Sequence, residues 1–282
     1  MSDDALASYL SHWREADPQR ATAWLFLRHD ERIRFGALAS LQDEWLKAVR
    51  DVREPQVAAT KLGWWREEVQ RAAHGEARHP LTRALFADAC ARAVPVACWM
   101  APVDASLLAL TAPPPTDFAG QFAAAKPLAA ALAELETRVW FGVQADSARA
   151  TAVIAILQLV TSLRALGATA GNGHSPLPMN LLARHGLTLD DLARDGEARR
   201  AAVRDQAVDL ERELARAATM PGPLGLFRAV SLQHDLRALQ RALRVDDPLA
   251  ALRTPERGFG SLLKTWRAAR IWRGYRFSEA QA

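Results

Sequence analysis

The sequence predicts an all-α protein folded as one domain, and three observations carry that reading. Ala, Leu, Arg and Glu, the good helix formers, dominate, while only two of the 282 residues are Tyr and β-branched residues are sparse. Apolar residues recur every three or four positions in one segment after another, as the buried face of a helix requires. Strand-like alternation and internal repeats are absent from the sequence. Half of the residues are hydrophobic, enough for a large core. The run Pro113-Pro114-Pro115 is too short for a domain linker and reads as an interhelix loop, so residues 1–282 are taken as a single unit, with an N-terminal helix in 1–14 and a basic C-terminal helix in 260–282.

Taken in order, residues 6–13 form a short amphipathic helix closed by Asp17-Pro18, and residues 20–27 a second apolar segment. Residues 30–52 carry Ile33, Ala37, Leu38, Leu41, Trp45 and Val49 at helical spacing. Pro55 suits the first turn of the next helix, 56–74, and Gly75 its C-terminal cap. His79-Pro80 opens a helix to residue 94, and 101–110 is a further one. An Ala-rich helix spans 116–142 with a bend expected at Pro127. Residues 151–167 are apolar on nearly every face, which places that helix inside a bundle. There Gln158, Thr161, Ala165 and Thr169 are spaced to share one face. The chain breaks at Gly171-Asn172-Gly173 and restarts after Pro178. Thr188 with Asp191 caps a short helix at 187–192. Helices follow at 196–219 and 224–244, separated by Pro221-Gly222-Pro223; 246–260 reads as a loop, and 260–276 as the last helix.

The net charge is only +4 despite a pI near 9.5, and arginines are interleaved with acids along the chain. That pattern describes solvated mixed-charge faces and argues against nucleic acid as a partner. Cys90 and Cys98 lie two helical turns apart with no nearby ligand partner, and read as small buried thiols in a reducing compartment. The acidic N-terminus MSDDALASYL lacks the apolar segment of a secretion signal. No stretch reaches the roughly 18 apolar residues of a spanning helix, so a cytoplasmic protein is expected. In the last helix Trp266, Ile271, Trp272 and Tyr275 mix with Arg267, Arg270 and Arg273, a composition that suits either docking on the bundle or contact with the inner face of a membrane.

Three blocks, in this order, resemble the squalene/phytoene synthase family. Residues 20–44 look like the family's paired helices. Residues 61–85, KLGWWREEVQRAAHGEARHPLTRAL, are close to its signature of a Trp-Trp-Arg-Glu helix, a Gly turn and a His-Pro helix start. Within 157–187, LQLVTSLRALG is similar to "QLxNxLRDxxED" and PLPMNLLARHGL to "YLPxDLLxxHG". The resemblance covers roughly residues 15–270. It implies an isoprenoid-synthase-like helical bundle around a central cavity, where two aspartate-rich helices hold Mg²⁺ ions that bridge prenyl diphosphates. The chemistry demands carboxylates, because magnesium is a hard cation and the leaving group carries several negative charges.

Those carboxylates are missing from the expected register. The first motif falls on Leu46, Lys47, Ala48, Val49 and Arg50, and in the second Ala165 and Thr169 stand where Asp is expected. No catalytic residue of the motifs is intact, no metal ligand is expected, and no cofactor is assigned unless magnesium serves an active synthase. Candidates for lining a ligand cavity are Leu38, Leu41, Gln42, Asp43, Trp65, Gln158, Thr161 and Arg164. Arg164 needs a partner, which the sequence places at Asp43, Glu44 or an anionic ligand. Asp205 and Asp209 form a literal DxxxD but sit on the charged side of an amphipathic helix. His79 reads as a helix-start residue. The motif VREP at 52–55 resembles the "VSEP" turn of a branch that includes the mitochondrial complex I assembly factor. That likeness implies a non-catalytic protein acting in binding or assembly, with an isoprenoid or lipid-like ligand, a protein partner, or both. The alternative is an active head-to-head prenyl diphosphate synthase.

Overall fold

The computed structural model of the chain describes residues 2–52, 54–142, 145–171, 175–256 and 258–279. Among these residues there are sixteen helices and no strand. They run α1 (Ser2–Glu15), α2 (Pro18–Trp24), α3 (His29–Arg50), α4 (Pro55–Ala73), α5 (Pro80–Ala87), α6 (Ala89–Ala93), α7 (Val96–Ala109), α8 (Phe118–Phe141), α9 (Ala148–Arg164), α10 (Leu166–Gly171), α11 (Met179–His185), α12 (Leu189–Leu192), α13 (Glu197–Thr219), α14 (Leu226–Ala242), α15 (Pro248–Arg253) and α16 (Phe259–Glu279).

Two helices organise the packing. Helix α9 buries Val153, Ile154, Ala155, Ile156, Val160 and Leu163 and packs against α8, α13 and α14. Helix α3 buries Phe35, Leu38, Leu41 and Trp45 and packs against α1, α4, α5 and α7. Trp140 of α8 bridges the two groups. It stacks on Phe35 with centroids 3.5 Å apart and meets Trp272 of α16 edge-on at 5.3 Å. Such contacts add to the area that each ring buries. Gly36 lets Trp24 lie flat on α3, since a Cβ there would come within 2.6 Å of the indole.

Glu68 is the hub of the signature block. Its Oε1 accepts from the backbone N–H groups of Arg78 and His79, both at 2.7 Å, and from the Thr82 hydroxyl at 2.6 Å. Arg71 closes the other oxygen at 3.0 Å. Gly75 (φ +84°) follows the last residue of α4 and its cap, as the C-terminal glycine reading requires. His79 caps α5 by accepting from Leu81 N–H at 3.2 Å. Its ring packs among Tyr9, Trp64 and Trp65, and burial holds it below the ordinary imidazole value. The helix-start role predicted for His79 is the one it has.

Four expectations are corrected. The helix predicted over 80–94 is two helices, because Asp88 takes an extended conformation and caps α6 through Cys90 N–H at 2.8 Å. Cys90 and Cys98 consequently sit on different helices, and Cys90 is exposed rather than buried because α6 turns Ala91 inward. The loop predicted over 246–260 contains α15, which Asp247 caps through Ala250 N–H at 3.0 Å, with Pro248 in the first turn. The helix predicted over 151–167 ends at Arg164, so Ala165 and Thr169 leave the face of Gln158 and Thr161. The freed Arg164 carbonyl is capped at 2.8 Å by Arg253 from α15. Of the break predicted at Gly171-Asn172-Gly173, the last two residues lie outside the described ones.

Candidate functional site

A cavity of about 230 Å³ opens between α3, α8, α9 and α14, with the α1–α2 corner along one side. Its walls come from remote parts of the chain, and helical periodicity explains each contribution. On α3, Leu38, Gln42 and Leu46 recur at four-residue spacing and line it together, with Asp43 and Arg50 beside them. On α9, Leu157 and Thr161 stand four residues apart and Gln158, Thr161 and Arg164 three apart, so they line it together. Helix α14 adds Phe227, Arg228, Ser231 and Asp235, and α8 adds Glu136 and Trp140. Trp13, Asp17 and Arg20 complete it from α1 and α2.

Of the eight residues predicted to line a ligand cavity, Leu38, Gln42, Asp43, Gln158, Thr161 and Arg164 are brought together here. Leu41 and Trp65 lie elsewhere. Leu41 is fully buried in the core, and Trp65 packs on His79, with Trp64 half-exposed beside it. Of the seven motif positions, Leu46, Val49 and Arg50 reach the cavity, and Lys47, Ala48, Ala165 and Thr169 do not line it. Lys47 turns to Asp43 at 3.0 Å and Glu44 at 3.4 Å, and Glu44 is also held by Lys61 at 3.3 Å. Thr169 is buried on α10, its hydroxyl bonded to the Leu166 carbonyl at 3.1 Å.

The ion pairs decide the electrostatics. Arg164 pairs with neither Asp43 nor Glu44. It binds Asp235 of α14 at 2.7 Å and the Leu252 carbonyl of α15 at 2.9 Å. Arg228 pairs with Glu136 at 3.0 Å and donates to Gln42 Oε1 at 2.8 Å. Arg20 reaches Asp43 at 3.3 Å while covering the Trp13 ring. Asp17 is occupied as the N-cap of α2, accepting from Gln19 N–H at 2.8 Å. Burial works to raise the Asp43 carboxyl, but Arg20, Lys47 and Arg50 outweigh it and hold it below the usual range. Asp235 is pushed up by complete burial, with Arg164 opposing. Away from the cavity, Asp205 is engaged by His185 at 2.9 Å and Arg184 at 3.3 Å, and Asp209 by Arg212 at 2.6 Å.

Magnesium at a phosphate site takes one or two carboxylates, with phosphate oxygens and waters filling the rest of its shell. The four carboxylates of this cavity, Asp17, Asp43, Glu136 and Asp235, each already serve an arginine, a lysine or a backbone N–H. Among the described residues, no three His, Cys, Asp or Glu side chains come together in a group able to hold a metal ion.

Sequence reasoning missed Asp235, Arg228 and Glu136. Two of them carried a readable signal. Asp235 stands in register with Leu232, Ala238 and Leu239 on the buried stripe of α14, and Glu136 among Leu132, Leu135 and Val139 on that of α8. A carboxylate on a buried stripe requires a cation opposite it.

The sequence profile of the squalene/phytoene synthase family matches residues 13–243. No curated protein matches the chain. Among solved structures, a dehydrosqualene synthase in complex with ligand is similar, with a TM-score of 0.67 at 12% identity over 98% of each chain. The squalene synthase HpnC from Alicyclobacillus acidocaldarius gives 0.55 at 17%, over 98% of this chain and 95% of its own. TcSQS with the ligand BPH1237 gives 0.63 at 13%, over 99% and 92%.

Proposed function

The chain belongs to the squalene/phytoene synthase family, and we propose that it acts in binding or assembly, holding a lipid-like ligand in its central cavity instead of joining prenyl diphosphates. One observation carries this reading: the cavity's carboxylates are spent on the protein's own cations and N–H groups. In a prenyltransferase of this family those oxygens would hold the metal that neutralises a diphosphate. Here Leu46, Lys47 and Arg50 occupy the register of the first aspartate motif, and Ala165 and Thr169 that of the second. A metal offsetting a leaving diphosphate would have to compete with the ion pairs of the cavity for its oxygens. What remains is a half-apolar chamber walled by Leu38, Leu46, Leu157, Trp140 and Phe227, suited to an isoprenoid-like chain.

The family and the shared fold favour a second reading, an active head-to-head prenyl synthase of squalene or phytoene type using Mg²⁺. Purified protein incubated with farnesyl or geranylgeranyl diphosphate and Mg²⁺ separates the two. The binding reading expects no diphosphate release and no C30 or C40 product. Sustained release with either product supports the synthase.

The reading extends to a peripheral contact with an anionic membrane at the inner face. Among the described residues no helix is long and apolar enough to cross a membrane. Helix α16 docks through Thr265, Ala268, Ala269 and Trp272, and leaves Leu262, Leu263, Trp266 and Ile271 exposed beside Arg267 and Arg270. Apolar and cationic side chains on one outward face favour such a surface.

A further inference from the structure

We propose that the cavity's ligand is an uncharged isoprenoid-like lipid bearing a carbonyl, hydroxyl or ether oxygen, and that Gln42 is the donor that recognises that oxygen, with Gln158 as a second donor. The inference rests on the binding reading above and names the class of ligand.

Charge comes first. The cavity wall holds four carboxylates, Asp17, Asp43, Glu136 and Asp235, and four guanidinium groups, Arg20, Arg50, Arg164 and Arg228. The formal sum is zero. Arg164 and Arg228 are fixed by short bonds to carboxylates and to a second acceptor each. Arg20 is shared between Asp43 and the Trp13 carbonyl. Only Arg50 turns toward a half-exposed partner, Asp51 at 2.7 Å. A diphosphate would bring two to three negative charges against that single cation. It would have to break buried ion pairs to gain more, and breaking such a pair is costly.

The free hydrogen-bonding capacity points the other way. Gln42 is 2% exposed, and its Nε2 has no partner. The amide orientation is set by chemistry: its Oε1 accepts from Arg228, and a guanidinium offers no acceptor, so the nitrogen must be the free end. Gln158 Nε2, on the facing wall of α9, is likewise buried without a partner. A buried amide donor left unpaired costs about 1–3 kcal/mol. A neutral acceptor oxygen recovers that cost without disturbing any ion pair. Leu38, Leu46, Leu157 and Phe227 then cover the hydrocarbon.

The test uses the full chain and three C15 probes that differ at one end: farnesol, the hydrocarbon farnesene, and farnesyl diphosphate with and without Mg²⁺. Binding is read by quenching of tryptophan fluorescence. Farnesol is expected to bind roughly tenfold or more tighter than either other probe, with no gain for the diphosphate from Mg²⁺. Gln42→Leu should lower farnesol affinity roughly tenfold and leave farnesene unchanged. Should Gln42→Leu fail to give a wild-type melting curve, Gln158→Leu reads the same selectivity. Diphosphate binding as tight as farnesol, no farnesol binding, or equal losses for farnesol and farnesene in the variant overturns the inference. Those outcomes without product formation leave the binding reading standing; C30 product overturns both.

Discussion

Glu68 shows how a signature can be structural. Its carboxylate gathers two backbone N–H groups, a hydroxyl and a guanidinium across the turn between α4 and α5. Burial would raise its pKa, but those donors lower it from 4.5 to about 2. A carboxyl depressed in the folded state adds stability above its unfolded value and loses it as pH falls. The increment is about 3 kcal/mol, complete above pH ~5 and gone near pH 2. Glu68→Gln should lower stability at neutral pH by about 2–3 kcal/mol and flatten that part of the acid limb, as urea titrations at several pH values would report. The sequence displayed the Trp-Trp-Arg-Glu pattern, yet gave no reason to single out the second glutamate. Its partners sit ten to fourteen residues on, in a turn whose path no periodicity describes. Arg164 teaches a similar lesson. That it required a partner was legible; that the partner is Asp235, 71 residues away, was not. Asp235→Ala leaves Arg164 facing a void and should cost about 3 kcal/mol, measurable by chemical denaturation. A cost within 0.5 kcal/mol would show that the pair is not holding α9 to α14.

Helices read well from the sequence where a long apolar stripe dictates them. The central stretch of α9 and the stripes of α3 and α13 needed nothing beyond spacing. Failures occurred where a side-chain cap starts or stops a short helix. Asp247-Pro248 carried both the N-cap and the first-turn proline of α15, and six residues proved enough for a helix because Leu249 and Leu252 bury against the bundle. Asp247→Ala should cost about 1 kcal/mol through loss of the cap. The same variant should loosen the Leu252 carbonyl that holds Arg164, seen as faster amide exchange in α15. For α16 the test must spare the buried side. Deleting 260–282 would strip Trp272, 1% exposed, from the core, so point changes are the better probe. Trp266→Ala with Arg270→Gln should reduce co-sedimentation with anionic liposomes severalfold at unchanged melting temperature. Raising salt should weaken the wild type in the same direction. Binding indifferent to both substitutions and salt would remove α16 from the membrane contact.

At the scale of the molecule, the bundle and its family were legible because three blocks fall in order along the chain. The cavity's electrostatics were not. Arg228 joins Glu136 and Gln42 across 92 and 186 residues, and such closures exist only once the helices have packed. That residues 46–50 carry no aspartate can be read off the sequence. Whether other carboxylates serve instead is a question of which side chains face one another. In this cavity the facing charged groups are ion pairs, and the four carboxylates and four guanidinium groups of its wall balance. The measurement that bears most directly on this account is turnover. Purified protein with farnesyl or geranylgeranyl diphosphate and Mg²⁺ is predicted to release no diphosphate above the uncatalysed background and to form no C30 or C40 hydrocarbon. Steady diphosphate release with either product, abolished by chelating the metal, would contradict it.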